Sequence, residues 1–150
     1  MGASPQEQAD ALARIVPLVC KAERLYGVPA ELTTAHAMIE SGWMRDVVGH
    51  SNCFGMKKTG RHKMSAWKDD TEFADYPTIE AAVMDYAWLI SCGSPYARAW
   101  LAFKSNQHDW QTLARGVAAV YAKGRWYADL IIAVATMNNV SDAISKGRKP

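Results

Sequence analysis

The alternation of hydrophobic and polar residues predicts helices on both sides of an irregular middle. Ser4, Pro5 and Glu7 are typical of a helix start, because the Ser and Glu side chains cap each other's amides and Pro fits the first turn. An apolar stripe follows at Leu12, Ile15, Val16 and Val19. Pro17 should kink or restart this helix, since proline lacks an amide donor, and Gly27 should end it.

A second helix is predicted from Pro29 to about Glu40, followed by a stop at Gly42. Its apolar stripe comprises Leu32, Ala35 and Ile39. Thr33, His36 and Glu40 share another face, because residues three and four apart are neighbours on a helix. The pattern therefore places one carboxylate at a helix end beside the core.

Glycines and polar residues replace the helical pattern between Gly42 and Pro77, which predicts loops and a small hairpin. Helices return from the cap at Thr78 to about Gly93, and then over 95–104, 109–122 and 126–138. The polar end, SDAISKGRKP, is typical of a flexible tail. We expect a mainly α (α+β) domain over residues 1–140 and a tail over 141–150.

Composition supports one folded domain: 150 residues are 49% hydrophobic and 21% charged, without an internal repeat. The net charge of +2 is too small to indicate nucleic acid and suits an anionic polymer equally well. No apolar run approaches the length of a membrane span. We therefore expect a monomer that neither binds nucleic acid nor inserts into a membrane.

Neither cysteine spacing nor histidine spacing indicates a disulfide framework or a metal site. Cys20, Cys53 and Cys92 are predicted to be reduced, mostly buried thiols. His50, Cys53 and His62 lack the paired spacing of zinc ligands, so no metal and no cofactor are expected. A basic cluster is predicted to form a solvated loop that can hold an anionic polymer; it comprises Lys57, Lys58, Arg61, His62 and Lys63.

Glu40 is the main candidate for catalysis. The helix dipole and apolar neighbours both favour the protonated form of a carboxyl at a helix C-terminus, and a general acid needs that form near neutral pH. The alternative is an ordinary solvated glutamate at a fraying helix end.

Five ordered motifs resemble glycoside hydrolase family 73, the N-acetylglucosaminidase domain of flagellar peptidoglycan hydrolases and bacterial autolysins. Residues 14–43 end in GVPAELTTAHAMIESGW, where the family has GVP and then AQAALESGWG. The likeness continues through SNCFGMK (family NNLFGIK), FADYPTIEAAVMDYAWLI (family FRxYxSxxES, then DYxxLL) and VYAKGRWYADLI (family GYATDPxYAxKI). It spans about residues 8–136.

The resemblance implies a lysozyme-like fold in which a helical lobe and a small irregular or β-hairpin lobe flank a cleft. It also implies hydrolysis of the β-1,4 bond between N-acetylglucosamine and N-acetylmuramic acid in peptidoglycan glycan strands. Glu40 stands at the position of the family's catalytic acid.

The resemblance leaves the second catalytic group open. Asp69, Asp70 and Glu72 lie where the family often carries a hairpin glutamate, and we rank Asp70 and Glu72 equally. If all three are surface acids, the acetamido group of the substrate can assist instead. Tyr121 and Tyr127 match an active-site tyrosine block, and we favour Tyr121 as the catalytic partner.

Three aromatic residues flank the expected cleft as candidate sugar platforms, with core packing as the alternative: Trp43, Phe54 and Trp126. Tyr127 is also expected to line the cleft. Asn52 is the candidate ligand of an acetamido group, with a turn role as its alternative. His36 replaces the family's glutamine one turn before Glu40, and a charged imidazole would oppose the acid role. We therefore predict that His36 is neutral or turned away.

Three competing functions stay open: a muramidase, a lytic transglycosylase of the same fold, and a non-catalytic wall-binding module. The start MGASPQEQAD lacks the basic and apolar segments of a secretory signal. We expect action on the bacterial cell wall after release by phage lysis, as an endolysin, or by a dedicated secretion system.

Overall fold

The computed structural model describes residues 2–62, 64–67, 70–106, 109–121 and 125–149, with the backbone alone for 65–67, 70 and 71. In this part of the chain the helices are α1 Pro5–Tyr26, α2 Ala30–Ser41, α3 Ile79–Cys92, α4 Ala97–Ser105, α5 Trp110–Tyr121, α6 Arg125–Ala135 and α7 Asn138–Arg148. A hairpin of β1 Met64–Trp67 and β2 Asp70–Asp75 lies between α2 and α3, and a 3₁₀ turn, Ser94–Tyr96, precedes α4. The mainly α architecture is as predicted. No helix within these ranges has both the length and the apolar character to cross a bilayer.

The first helix begins and ends where its sequence predicts. The amide of Glu7 donates to the Ser4 hydroxyl at 3.1 Å, and the amide of Ser4 donates to the Glu7 carboxylate at 2.8 Å. Gly27 adopts the left-handed conformation that terminates the helix. The helix continues past Pro17, so of the two predicted outcomes, a kink or a restart, the restart is wrong; Val16 and Val19 nearby are buried.

The second helix is buried on nearly all sides, because α1, α5 and α6 pack around it. Leu32 and Ala35 on the predicted stripe are fully buried, and so are Thr33 and His36 on the other face. A helix that is surrounded in this way holds its C-terminal residue at a fixed place in the fold. Glu40 lies in this last turn of α2 and is partly exposed.

The chain turns sharply immediately after α2. Gly42, Trp43 and Met44 all have positive φ values, of 55°, 59° and 68°. The Ser41 hydroxyl stabilises this turn, since it accepts from the Met44 amide at 2.9 Å and donates to the Ala37 carbonyl at 2.6 Å. Two consecutive left-handed non-glycine residues are costly, and such backbone is concentrated at functional sites.

The predicted small hairpin is present as an antiparallel pair, with Met64 opposite Asp75. The loop before β1 also pairs with β2. The amide of Ala74 donates to the Met56 carbonyl at 3.0 Å, and the amide of Lys58 donates to the Glu72 carbonyl at 2.8 Å. This pairing fixes residues 56–58 to the hairpin and so builds the smaller lobe beside the end of α2.

The C-terminal region corrects the predicted flexible tail, because residues Asn138–Arg148 form a helix packed on α1. Val140 and Ile144 are buried, one turn apart. Arg148 pairs with Glu23 at 2.6 Å and with Glu31 at 2.5 Å. Two apolar side chains in a polar segment give little periodic signal in the sequence. They are nevertheless sufficient to pack the helix against α1.

Candidate active site

Glu40 meets residues from two other parts of the chain. The hydroxyl of Tyr127, in α6, donates a hydrogen bond to Oε2 of Glu40. Gly55, in the loop before the hairpin, has φ +64° and lies so close that an added Cβ would be 3.3 Å from Oε1. The two carboxyl oxygens therefore differ: Oε2 is bound to a phenol, and Oε1 lies beside a loop backbone.

Tyr127 keeps its proton in this setting. Only 3% of the residue is exposed. Burial raises the pKa of the Tyr127 phenol, and the hydrogen bond to the Glu40 carboxylate raises that pKa further. The phenol is therefore a permanent hydrogen-bond donor to Glu40 across the working pH range.

Tyr121, the last residue of α5, is the catalytic partner favoured from sequence, and its hydroxyl bonds the backbone of the loop. Its hydroxyl donates to the backbone carbonyl of Phe54, next to Gly55. Burial raises the pKa of the Tyr121 phenol, and the nearby negative charge of Glu40 adds to this effect. Tyr121 thus lies near Glu40 but binds the loop segment that approaches it.

His36 is neutral, as predicted. The side chain is fully buried, and burial lowers the pKa of its imidazole to about 3. Its Nδ1 lies 2.6 Å from the Tyr86 hydroxyl. Because His36 is uncharged, it does not place a positive charge next to Glu40.

A cavity of about 430 Å³ opens beside these residues, between the smaller lobe and the helices. Two of its lining residues also lie close to Glu40: Gly55 on the side of the smaller lobe and Tyr121 on the helical side. The other lining residues are Met56, Lys57, Thr59, Arg61 and His62 from the loop, and Leu89, Pro95, Tyr96 and Val120 from the helical side. This volume is within the range of small-ligand sites.

One carboxylate in α3, Asp85, anchors the loop that forms the cavity wall. It accepts from Nε2 of His62 at 2.9 Å and from the Tyr76 hydroxyl, and it pairs with Arg61. The amide of Thr59 donates to Nδ1 of His62 at 2.9 Å, so the imidazole proton is on Nε2. Burial opposes the charge of Asp85, but the three donors outweigh it and lower the pKa of its carboxyl.

This anchor corrects the prediction of a wholly solvated basic loop. The side chain of His62 is 6% exposed, and Arg61 also stacks over the ring of Trp88 at 4.3 Å. Lys57 is exposed, as expected for a solvated loop. Lys63 lies outside the described residues. Sequence reasoning gave Asp85 no role because its partners are distant in sequence; the available signals were an acid in the middle of a largely apolar helix and its place in the quoted DY motif.

Two of the predicted substrate contacts are internal instead. Asn52 is buried, and its amide donates to the carbonyls of Met56 and Ala74 at 2.9 and 2.7 Å. Its oxygen accepts from the amides of Phe54 and Met56. Because all four hydrogen-bonding positions are used, Asn52 organises the loop and does not hold an acetamido group. Phe54 is also buried and stacks on Tyr86 at 4.2 Å, so it offers no face to a sugar.

Trp126 and Trp43 differ from these two in exposure. Trp126 is 64% exposed and contacts Tyr127 edge to face at 5.6 Å. Trp43 is partly buried against the core and lines a separate surface pocket of about 210 Å³ with Arg14 and Arg45. Trp126 is therefore an accessible aromatic face next to the Tyr127 and Glu40 pair.

The candidate second carboxylates lie on the hairpin. Glu72, in β2, is exposed, and one of its oxygens lies 3.5 Å from the Lys57 ammonium. Asp69 and the side chain of Asp70 are outside the described residues. Asp75 is a structural acid: it is buried and accepts from the amides of His50, Ser51 and Tyr76.

The histidines and the cysteine considered as metal ligands lie in separate environments. His50 pairs with Asp75 at 2.6 Å, whereas His62 bonds Asp85. Cys53 is buried, and burial raises the pKa of its thiol to about 12. Among the described side chains, no three His, Cys, Asp or Glu residues are grouped as metal ligands would be.

The profile of the glucosaminidase family, described as mannosyl-glycoprotein endo-β-N-acetylglucosaminidase, matches residues 16–140. No curated protein sequence matches significantly.

Several solved structures share the fold. The catalytic domain of the autolysin Auto from Listeria monocytogenes is 20% identical, with a TM-score of 0.74 over 95% of this chain and 90% of that chain. A peptidoglycan hydrolase from Sphingomonas sp. A1 is 25% identical, with a TM-score of 0.72 over 93% and 94%. The glycoside hydrolase domain of FlgJ from Salmonella typhimurium is 26% identical, with a TM-score of 0.68 over 93% of each chain.

Proposed function

This chain belongs to the glucosaminidase family, glycoside hydrolase family 73, and from that premise we propose that it cleaves peptidoglycan as an endo-β-N-acetylglucosaminidase. The bond cleaved is the β-1,4 link between N-acetylglucosamine and N-acetylmuramic acid. One observation carries the proposal: the carboxyl of Glu40 lies at the end of a buried helix and beside Gly55, which lines a cavity between the two lobes.

Glu40 is the proposed general acid, and the two sides of its carboxyl assign the proton. Oε2 accepts from Tyr127, so the proton available to the substrate is on Oε1, beside Gly55, which lines the cavity. Transfer of that proton to the glycosidic oxygen lets the leaving sugar depart as an alcohol. An oxocarbenium-like state then forms at the N-acetylglucosamine.

Tyr127 is the proposed partner of Glu40, in place of the Tyr121 favoured from sequence. The hydrogen bond from its phenol stabilises the carboxylate that forms once the proton has left. Tyr121 contributes by holding the Phe54 carbonyl, which fixes Gly55 next to Oε1. The two tyrosines thus have separate tasks.

Water completes the reaction with help from a second group. Glu72 and Asp70 are the two hairpin acids available for that role, and the acetamido group of the substrate is the third candidate. Glu72 is accessible there, since both it and its Lys57 contact are exposed. Matched Glu72→Gln and Asp70→Asn variants distinguish the three: a large kcat loss in one identifies the acid, and no loss in either favours the acetamido group.

The proposed substrate surface is the cavity together with the exposed face of Trp126, and the proposed partner is the glycan strand of the bacterial cell wall. A polymer with repeated sugar faces and carboxylates suits an exposed aromatic ring, Trp126, together with an exposed cation, Lys57, on the cavity wall. The protein is proposed to work as a monomer at the wall.

The deciding experiment compares the parent protein with Glu40→Gln on purified sacculi in heavy-oxygen water. Glutamine keeps an oxygen that accepts from Tyr127, so the variant loses the proton and little else. The parent should release fragments whose labelled reducing ends are N-acetylglucosamine, and the variant should be about 10²–10⁴-fold slower.

Other products would replace the proposal. Reducing N-acetylmuramic ends would indicate a muramidase, and unlabelled anhydro ends a lytic transglycosylase. If both proteins bind sacculi equally and neither releases fragments, the chain is a wall-binding module.

A further inference from the structure

A neutral histidine is buried directly behind the proposed site. His36 lies one turn before Glu40 on α2 and is fully buried. Its imidazole contacts four aromatic rings edge to face, with centroid distances of 4.2 Å to Tyr121, 5.2 Å to Tyr86, 5.7 Å to Tyr127 and 6.2 Å to Phe54. It therefore touches both tyrosines of the site and the residue whose carbonyl Tyr121 binds.

The imidazole is only half satisfied. Its Nδ1 pairs with the Tyr86 hydroxyl at 2.6 Å, but Nε2 is buried without a hydrogen-bond partner among the described residues. A buried nitrogen of this kind lowers fold stability relative to an apolar side chain of similar volume. Packing alone would favour such an apolar residue, so the ring calls for another explanation.

The geometry offers one. The hydrogen bond to Tyr86, on α3, fixes the orientation of the imidazole ring relative to α2. The fixed ring stands at 76° to the ring of Tyr121 and at 73° to that of Tyr127. A flat, rotationally locked side chain at this point limits where both tyrosine rings can sit, and hence where their hydroxyls end.

We infer that His36 is a positioning residue that sets the Tyr127 hydroxyl against Oε2 of Glu40. This inference rests on the proposed function, because it assigns a role within the same site. His36 does not touch substrate; it acts through Tyr127. In Tyr127→Phe there is no hydroxyl to place, so the contribution of His36 to catalysis should disappear.

A double-mutant cycle tests this directly. His36→Leu should lower kcat by about five- to twentyfold with KM changed less than about twofold, since the effect concerns the reacting carboxyl and not sugar binding. In the Tyr127→Phe background the same change should lower kcat less than about twofold. His36→Phe, which keeps a flat ring, should retain more activity than His36→Leu.

The control is Ile144→Ala, which creates a cavity in the core at α7. It should lower the melting temperature and leave kcat unchanged at temperatures where all variants are folded, so a kcat loss in His36→Leu is not explained by lost stability. Equal losses from His36→Leu with and without the Tyr127 hydroxyl would overturn the inference, and so would no loss in either background.

An NMR measurement keeps the inference separate from the proposed function. The Cζ signal of Tyr127 reports its hydrogen bond to residue 40, so Glu40→Gln should shift it in the parent. In His36→Leu this shift should shrink by at least half. A shift of unchanged size would reject the role of His36 even in a protein without glycosidase activity, whereas an inactive parent with a reduced shift would reject only the proposed function.

Discussion

The Tyr127 hydroxyl donates a hydrogen bond to Oε2 of Glu40, joining two residues that are 87 positions apart in the chain. The contact brings α6 to the C-terminal end of α2. It leaves Oε1 as the carboxyl oxygen beside Gly55. In the proposed mechanism, the oxygen that accepts from the phenol is held in place and the other oxygen delivers the proton.

Tyr127→Phe should therefore affect catalysis more than Tyr121→Phe. The first removes the only hydroxyl that bonds Glu40 among the described residues, and we expect kcat to fall by about tenfold, corresponding to about 1.4 kcal/mol. The second removes the bond to the Phe54 carbonyl and should lower the free energy of unfolding by about 1 kcal/mol. Steady-state kinetics and urea unfolding of both variants measure the contrast. A larger kcat loss in Tyr121→Phe would restore the assignment favoured from sequence.

Asn52 and Trp126 should separate stability from binding. Asn52→Ala breaks four hydrogen bonds to backbone, three in the loop and one in β2, and we expect a loss of about 3 kcal/mol in unfolding free energy. Trp126→Ala removes an exposed ring, so stability should change by less than about 0.5 kcal/mol while KM for glycan fragments rises about three- to tenfold. If Trp126→Ala leaves KM unchanged, the exposed ring is not a sugar platform.

Gly55→Ala should disturb the site through a single methyl group. The backbone there has φ +64°, which costs about 1 kcal/mol for a residue with a Cβ. The new Cβ would also lie 3.3 Å from Oε1 of Glu40, where it would press on the reactive oxygen. We expect a several-fold decrease in kcat in addition to the lost stability.

Gly60→Ala is the matched control, because a Cβ at Gly60 would have open space around it. Its kcat and melting temperature should equal those of the parent. Similar activity losses in both variants would mean that loop flexibility, and not the approach to Glu40, accounts for the effect.

Arg148→Met should reveal a pH-dependent contribution of α7 to stability. Arg148 bonds Glu23 and Glu31, and although burial opposes it, the bonds from Arg148 and from the Ala30 amide lower the pKa of Glu23 below its usual 4.5. The unfolded state therefore takes up a proton first as pH falls, and this stabilisation is complete above about pH 4.5 and lost below it. At neutral pH we expect the variant to lose about 1 kcal/mol, a modest value because the groups are partly exposed.

Unfolding curves at neutral pH and at several values below pH 4.5 check this, with the exposed Lys146→Met on the same helix as the control. The difference between parent and Arg148→Met should narrow as the pH falls, while Lys146→Met should follow the parent. A difference that stays constant would show that Glu23 does not respond to Arg148.

The sequence by itself determined the features that depend on neighbours three or four residues away. The Ser4 and Glu7 cap, the stop at Gly27 and the position of Glu40 at the end of α2 follow from local hydrogen bonding and backbone preference. The ordered motifs also identified the family and hence the fold class. These signals survive in any tertiary setting, because a cap or a left-handed glycine acts within one turn.

Only the tertiary structure decided which side chains meet. Tyr121 and Tyr127 have the same chemistry and similar spacing, but their hydroxyls bind groups 67 and 87 residues away, so helix packing selects the partner of Glu40. The sequence suggests that Asn52 binds the substrate, but in the fold both hydrogens of its amide are donated to backbone carbonyls. Likewise, α7 packs on α1 through the buried Val140 and Ile144, and Arg148 pairs with Glu23, 125 positions away. Long-range pairing depends on how whole elements pack, and local sequence does not encode that distance or direction.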